Sequence, residues 1–244
     1  MRVRVRYEKA GKLRFISAID LGRVWERALR KAGLPIAYSE GFSPHPKVSF
    51  VDALPLGYAS RGEYAELTFA TALPLEPSMA ALNAAFPAGI GVLAAQEVAE
   101  GAPKLAKRLQ ASCWDLGYPA EVDPDQVSAA VAAALASSEL LVERERKGES
   151  TTVDLRPAVH GLYAQGSRVR AVLHHVEPQV RPTELHLALA AHGAPAEPDL
   201  VTRVAQGLPV QGGLEEALEG GLVPLDPRED AGPEDFPELK KAIP

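Results

Sequence analysis

Residues 2–7 read RVRVRY, and this strict alternation is the strongest constraint the chain places on its own fold. Val3, Val5 and Tyr7 face one way and Arg2, Arg4 and Arg6 the other, the period of a half-buried strand. After the turn EKAGK, Ser17 and Asp20 stand in the S-x-x-[DE] spacing of a capping box, so Ser17 should cap a helix. Leu21, Val24, Trp25, Ala28, Leu29 and Ala32 then recur at the spacing of one buried helical stripe. Gly33 supplies a left-handed stop and Pro35 forbids continuation. Arg23, Arg27 and Arg30 fall on the opposite face, with Glu26 in reach of Arg23 and Arg30. PKVSFV and GEYAELTFAT read as strands, EPSMAALNAAF as a short helix and IGVLAAQEVA as a strand. Strand, helix, strand, strand, helix, strand is the split βαβ order of a ferredoxin-like domain.

The second half is a looser copy of that pattern. RLQASCWDLGY is strand-like, and Asp123 and Pro124 supply the cap and first-turn proline of an Ala-rich helix. ELLVERER and TTVDLRPAV flank the turn KGES. SRVRAVLHHV is a further strand, and RPTELHLALAAHG opens a helix at Pro182 or Thr183. From about residue 209 the chain turns Gly, Pro and acid rich, which predicts a disordered tail. The expected architecture is α+β: tandem ferredoxin-like domains at 1–105 and 106–208, followed by an acidic C-terminal tail at 209–244.

Composition narrows the function classes. Cys113 is the single cysteine, so an intramolecular disulfide and a thiolate-held iron–sulfur cluster are both excluded for this chain. The sequence contains no run of eighteen apolar residues, and MRVRVRYEKAG lacks an apolar signal region, so a cytoplasmic protein without membrane association is expected. His174 and His175 alternate faces in a strand and cannot easily share one metal, while His160, His186 and His192 are scattered singly. Neither a metal nor a cofactor is expected. The net charge of −6 conceals a basic front: residues 1–50 carry a net +7 and residues 201–244 a net −5. Such a front points to an anionic partner or to neutralisation by the chain's own acids. Arg2, Arg4 and Arg6 joined to Arg23, Arg27 and Arg30 would make a phosphate-tracking surface, and solvated faces are the alternative.

The stretch YSEGFSPHPKVSF, residues 38–50, sets a histidine between two prolines. Ser43 and His45 each precede proline and so avoid helical dihedrals, which makes 43–46 extended and unfit for a central strand. Alternation along an extended chain puts His45, Lys47 and Ser49 on one face and sends Val48 and Phe50 to the other, into the core. A stiff bracket then presents an imidazole beside an ammonium. His45 could act as a base with Lys47 holding a phosphate or oxyanion, or both could donate to an anion without reacting, or His45 could cap a backbone carbonyl in a surface loop. Tyr38, Phe42 and Tyr58 are the aromatic residues near it in sequence, so base stacking has few platforms.

Residues 7–67, YEKAGKLRFISAIDLGRVWERALRKAGLPIAYSEGFSPHPKVSFVDALPLGYASRGEYAEL, resemble the uncharacterised radical-SAM-linked family. The likeness continues through VDLRP at 153–157 and RPTEL at 181–185. The motif positions are Lys9, Arg14, Ser17, Asp20, Arg27, Tyr38, Ser39, Gly41, His45 and Lys47. Ala18 stands where the family usually has His, which weighs against a mechanism needing two histidines, and Ser43 where it has Asn. The resemblance implies a radical-SAM protein as partner. The tandem pattern is also similar, at the level of fold, to the repeat-processing endoribonucleases of CRISPR systems, and fold does not imply function. The expected role is a non-catalytic RNA- or substrate-binding partner of an RNA-modification system. Its site would comprise Arg14 and Arg27 as phosphate clamps, Ser17, Asp20, Arg23 and Arg30 around the first helix, and Tyr38, Ser39, His45 and Lys47 in the bracket. The alternatives are a metal-independent endoribonuclease using His45 and Lys47, and an interaction module that docks on a radical-SAM enzyme with the acidic tail as the contact.

Overall fold

The computed structural model describes residues 1–229 except Ala53, Lys147 and Ala196; residues 230–244 lie outside the described part. Two compact units divide it, Met1–Lys107 and a second beginning at Arg108.

In the first unit β1 (Arg2–Lys9), α1 (Ala18–Lys31), β2 (Val48–Val51), β3 (Ala59–Thr68), α2 (Leu75–Ala85) and β4 (Ile90–Glu97) follow the predicted order. The strands align β4-β1-β3-β2, every neighbour antiparallel, which is the ferredoxin-like arrangement. The alternation of β1 sends Val3, Val5 and Tyr7 into a core shared with Leu21, Val24, Trp25, Ala28 and Leu29 of α1. Trp25 is fully buried and meets Tyr7, Phe86 and Phe50 edge-on, at centroid distances of 5.1, 4.9 and 5.8 Å. Gly33, at φ 65°, ends α1 in a Schellman turn: its N–H reaches Arg30 O, and Leu34 N–H reaches Leu29 O.

The second unit repeats the plan with two additions. β5 (Ala111–Gly117), α3 (Pro124–Ala136), β8 (Val159–Gln165), β9 (Arg168–His174), α4 (Pro182–Ala191) and β10 (Leu200–Val210) form the repeat, with strands in the order β10-β5-β9-β8. Between α3 and β8 stands a separate hairpin, β6 (Leu141–Arg146) with β7 (Glu149–Asp154). After β10 come β11 (Gly213–Glu216), paired with β10, and β12 (Leu222–Pro224), paired with β11. Asp123 caps α3 through the Asp125 N–H, and α4 opens at Pro182. Both units are therefore ferredoxin-like, and the protein is α+β.

Three expectations need correction. The strands read on either side of KGES do form a hairpin, but the second stops at Asp154 and Arg156–Ala158 is a 3-10 turn; VHGLYAQ, which carries no clear alternation, forms the strand β8 that the sequence did not reveal. Residues 209–229 are not the start of a loose tail. They complete β10, make β11 and β12 and end in a short 3-10 turn, while the rest of the expected tail lies outside the described residues. Gly213, one of the glycines that suggested disorder, permits close strand contact, as does Gly207 just before the expected tail: a Cβ on Gly207 would lie 1.8 Å from Glu215 O, and one on Gly213 2.2 Å from Val223 O. The third concerns the arginines of β1. Arg4 is buried, its guanidinium bonded to Glu66 and to Pro103 O, and Arg2 shares Glu66. They lie on the sheet face opposite the core, whereas Arg23, Arg27 and Arg30 lie on the outer face of α1. The two sets cannot form one phosphate-tracking surface.

Candidate functional site: the 38–47 bracket

Restricted residues on both sides of a short loop shape the bracket. Ala37 N–H bonds Thr68 O, Lys47 N–H bonds Ala37 O and Thr68 N–H bonds Lys47 O, so both legs of the loop hang on the end of β3. Ser39 closes the mouth twice. Its N–H donates to His45 O at 2.8 Å, and its hydroxyl accepts from the His45 N–H at 3.0 Å. Tyr38 and Pro46 form an antiparallel bridge, and Gly41 turns the tip at φ 119°, a conformation other residues rarely adopt. Ser39 thus serves the loop's shape, which leaves Tyr38, His45 and Lys47 to face solvent.

His45 and Lys47 are both exposed, and their side chains have no ion pair or hydrogen bond among the described residues. Val48 packs against the core as the alternation predicts. Phe50 sends its ring to Tyr7 and Trp25 yet stays 37 % exposed, because β2 is the edge strand. The residue that sequence reasoning left outside the site is Phe42, whose side chain stands free at the tip. Its signal was an aromatic residue inside a Gly/Ser/Pro loop, where no core can receive it.

The first-helix residues take other roles. The Ser17 hydroxyl accepts from Asp20 N–H at 3.1 Å and donates to Asp20 Oδ2 at 2.8 Å, a cap rather than a ligand contact. That hydroxyl and Arg23 hold the Asp20 carboxyl below the usual carboxylate range. Arg23 pairs with Asp20, not with Glu26, and Glu26 is taken by Arg30 at 2.9 Å. Arg27 makes no ion pair within 4.0 Å among the described residues, though its charge acts on Asp20; it borders, with Lys31, a groove of about 320 Å³ floored by Val24, Ala28, Ala85, Phe86 and Pro87. Arg14 lays its guanidinium 4.6 Å from the centre of the Phe15 ring. The motif lysine, Lys9, is buried and donates to Ile16 O at 3.1 Å, pinning the 3-10 turn Gly11–Phe15 before α1. Burial pushes its pKa down, partly offset by Glu63. The structure therefore assembles Tyr38, Ser39, His45 and Lys47 in one loop, and places Ser17, Asp20, Arg23, Arg27 and Arg30 on α1 as a separate feature.

Removing the Ser17 hydroxyl tests its capping role. Ser17→Ala should cost about 1 kcal/mol of unfolding free energy, read by urea denaturation. An unchanged midpoint would mean that the hydroxyl does not cap α1.

Together these features define a tandem ferredoxin-like protein that carries, on its first unit, an aromatic-tipped loop with His45 and Lys47 exposed. Residues 2–182 match the family described as "Uncharacterized protein conserved in bacteria (DUF2344)", and the chain belongs to that family. Among solved structures it is similar to the crystal structure of the first two RRM domains of the yeast poly(U) binding protein Pub1, at 9% sequence identity over 84% of this chain and 100% of that one. The TM-score is 0.22, and at that value the likeness carries no argument about this protein. A comparison with curated proteins found no match.

Proposed function

We propose that this protein is a non-catalytic binding partner that offers the 38–47 bracket to a single-stranded RNA segment, in a cytoplasmic RNA-modification system that includes a radical-SAM enzyme. The observation that carries the reading is the exposed ring of Phe42 on a loop that also exposes two unpaired basic groups, His45 and Lys47. Unpaired bases stack on free aromatic faces, and cations beside them track the backbone. Local bonds already fix the loop, so little order has to be gained on binding. A nuclease would need a group to orient the His45 imidazole, and its side chain has no hydrogen-bond partner among the described residues. The radical-SAM partner follows from the sequence resemblance. No helix among the described residues is long and apolar enough to cross a membrane.

The test is a binding titration and a cleavage assay on the same single-stranded RNA in EDTA. Phe42→Ala should weaken binding by about 1–3 kcal/mol. Lys47→Ala should lower the salt slope by about one. His45→Ala should leave the RNA intact and bound. Affinity that is flat with salt would remove the RNA reading, and cleavage by the wild type that vanishes in His45→Ala would install the nuclease.

A second reading rests on Phe15, Ile19 and Leu56, which are 60, 72 and 63 % exposed. Phe15 lies beside Gly57, whose added Cβ would be 3.6 Å from its ring. Exposed apolar side chains of this size suit docking on a protein. Co-purification with the radical-SAM enzyme in the absence of RNA, lost on Phe15→Ser, would favour that reading.

A further inference from the structure

His160 and His174, far apart in sequence, meet on the second unit. β8 pairs with β9 through Val159↔Leu173 and Gly161↔Val172, so His160 is the extra residue of a β-bulge. Gly161 follows the bulge and packs under Leu225: a Cβ there would come 2.6 Å from Leu225 Cδ2, and the leucine side chain would have to move aside. The bulge re-aims His160 across the strand pair, and its ring centre stands 5.1 Å from that of His174, with the planes at 88°.

The nitrogen positions are constrained as well. His160 Nε2 lies 2.9 Å from Val210 O, and a carbonyl only accepts, so Nε2 carries the proton and Nδ1 keeps its lone pair. A histidine that gives its other N–H to a backbone carbonyl has the supporting arrangement found around metal-ligating imidazoles. The His174 ring makes no hydrogen bond among the described residues. The neighbouring His175 is engaged instead, with Nδ1 2.9 Å from Leu109 O and Nε2 2.6 Å from the Ser112 hydroxyl.

We propose that His160 and His174 form a two-imidazole site for a borderline divalent metal ion of the Zn²⁺, Ni²⁺ or Cu²⁺ class. Imidazole suits these ions, whereas Mg²⁺ and Ca²⁺ take oxygen donors. The spacing fits. With a metal–nitrogen bond of about 2.0–2.1 Å and about 1.1 Å from nitrogen to ring centre, two imidazoles at a tetrahedral angle have centres about 5.2 Å apart. The pair sits on hydrogen-bonded strands, so binding requires little reorganisation of the backbone. No cluster of three or more His, Cys, Asp or Glu occurs among the described residues. Two ligands from the protein leave the other coordination positions to water or to a donor brought by a binding partner.

The experiment uses the full chain stripped with a chelator and titrated with Cu²⁺ or Zn²⁺ against a chromophoric competitor. One equivalent should bind, and the Cu²⁺ spectrum should show two nitrogen donors by electron paramagnetic resonance. His160→Phe and His174→Phe keep an aromatic edge in place and remove one ligand each. Either should weaken binding by at least about tenfold and leave one nitrogen donor. His192→Gln should bind as the wild type does. If the Phe variants do not fold, proton NMR of the wild type decides the matter: Zn²⁺ should shift two of the six histidines. Absence of saturable binding, or binding unchanged in both Phe variants, would overturn the site and leave the pair as an aromatic contact.

Discussion

Trp25→Ala should lower the unfolding free energy by about 3–5 kcal/mol, the range for removing a large aromatic side chain from a core. Trp25 is 0 % exposed and touches Tyr7 of β1, Phe50 of β2 and Phe86 after α2 edge-on, so it joins the elements that make the first unit. β2 is short, and its Phe50 stays anchored through Trp25 and Tyr7. Loss of the indole should therefore loosen the strand next to the bracket and weaken RNA binding as well. Trp25→Phe is the control. The indole Nε1 is buried with no hydrogen-bond partner among the described residues, so the benzyl side chain gives up volume without orphaning a polar group. That variant should cost less than Trp25→Ala, because it removes fewer buried atoms and leaves a smaller cavity. Urea melts of the three proteins decide between the two; a Trp25→Ala cost under about 1 kcal/mol would mean that the core does not depend on this ring.

The second large effect is expected at Asp115 and Arg170, direct cross-strand partners on β5 and β9. The guanidinium grips the carboxylate through two bonds of 2.7 and 2.9 Å, and both side chains are buried. Nη1 also donates to Pro224 O at 3.2 Å, which ties β12 to the sheet. Arg170→Met leaves Asp115 buried opposite an apolar group, and breaking a buried pair in this way costs about 3–5 kcal/mol. Replacing both, Asp115→Leu with Arg170→Met, removes the stranded charge, and stability should recover to within about 1–2 kcal/mol of the wild type. The residual loss should appear as faster amide exchange in β11 and β12, because the Pro224 contact stays missing. A double variant as unstable as the single one would show that the pair's worth lies in more than charge compensation.

Much of the fold is local and so is written in the chain. Period-2 alternation fixes which side of β1 is buried. Ser17, Gly33, Asp123 and Pro182 bound three helices, because caps and left-handed stops act within a few residues. The two prolines around His45 confine 43–46 to extended dihedrals, so the exposure of His45 and Lys47 together was legible before any contact was known. Tertiary structure decided what depends on partners distant in sequence. VHGLYAQ has weak strand character of its own and becomes β8 because β9 offers it an edge to pair with. The β6–β7 hairpin alternates like a sheet strand pair, yet alternation cannot say which sheet a strand joins. Gly207 and Gly213 look like chain looseness in one dimension and are close strand contacts in three. Glu66, far from Arg2 and Arg4 in sequence, takes up their charge, a choice between the chain's own acids and an outside partner that composition had left open. The meeting of His160 with His174 has the same origin: a bulge moves one side chain across a strand pair, and only the register of β8 on β9 reveals it.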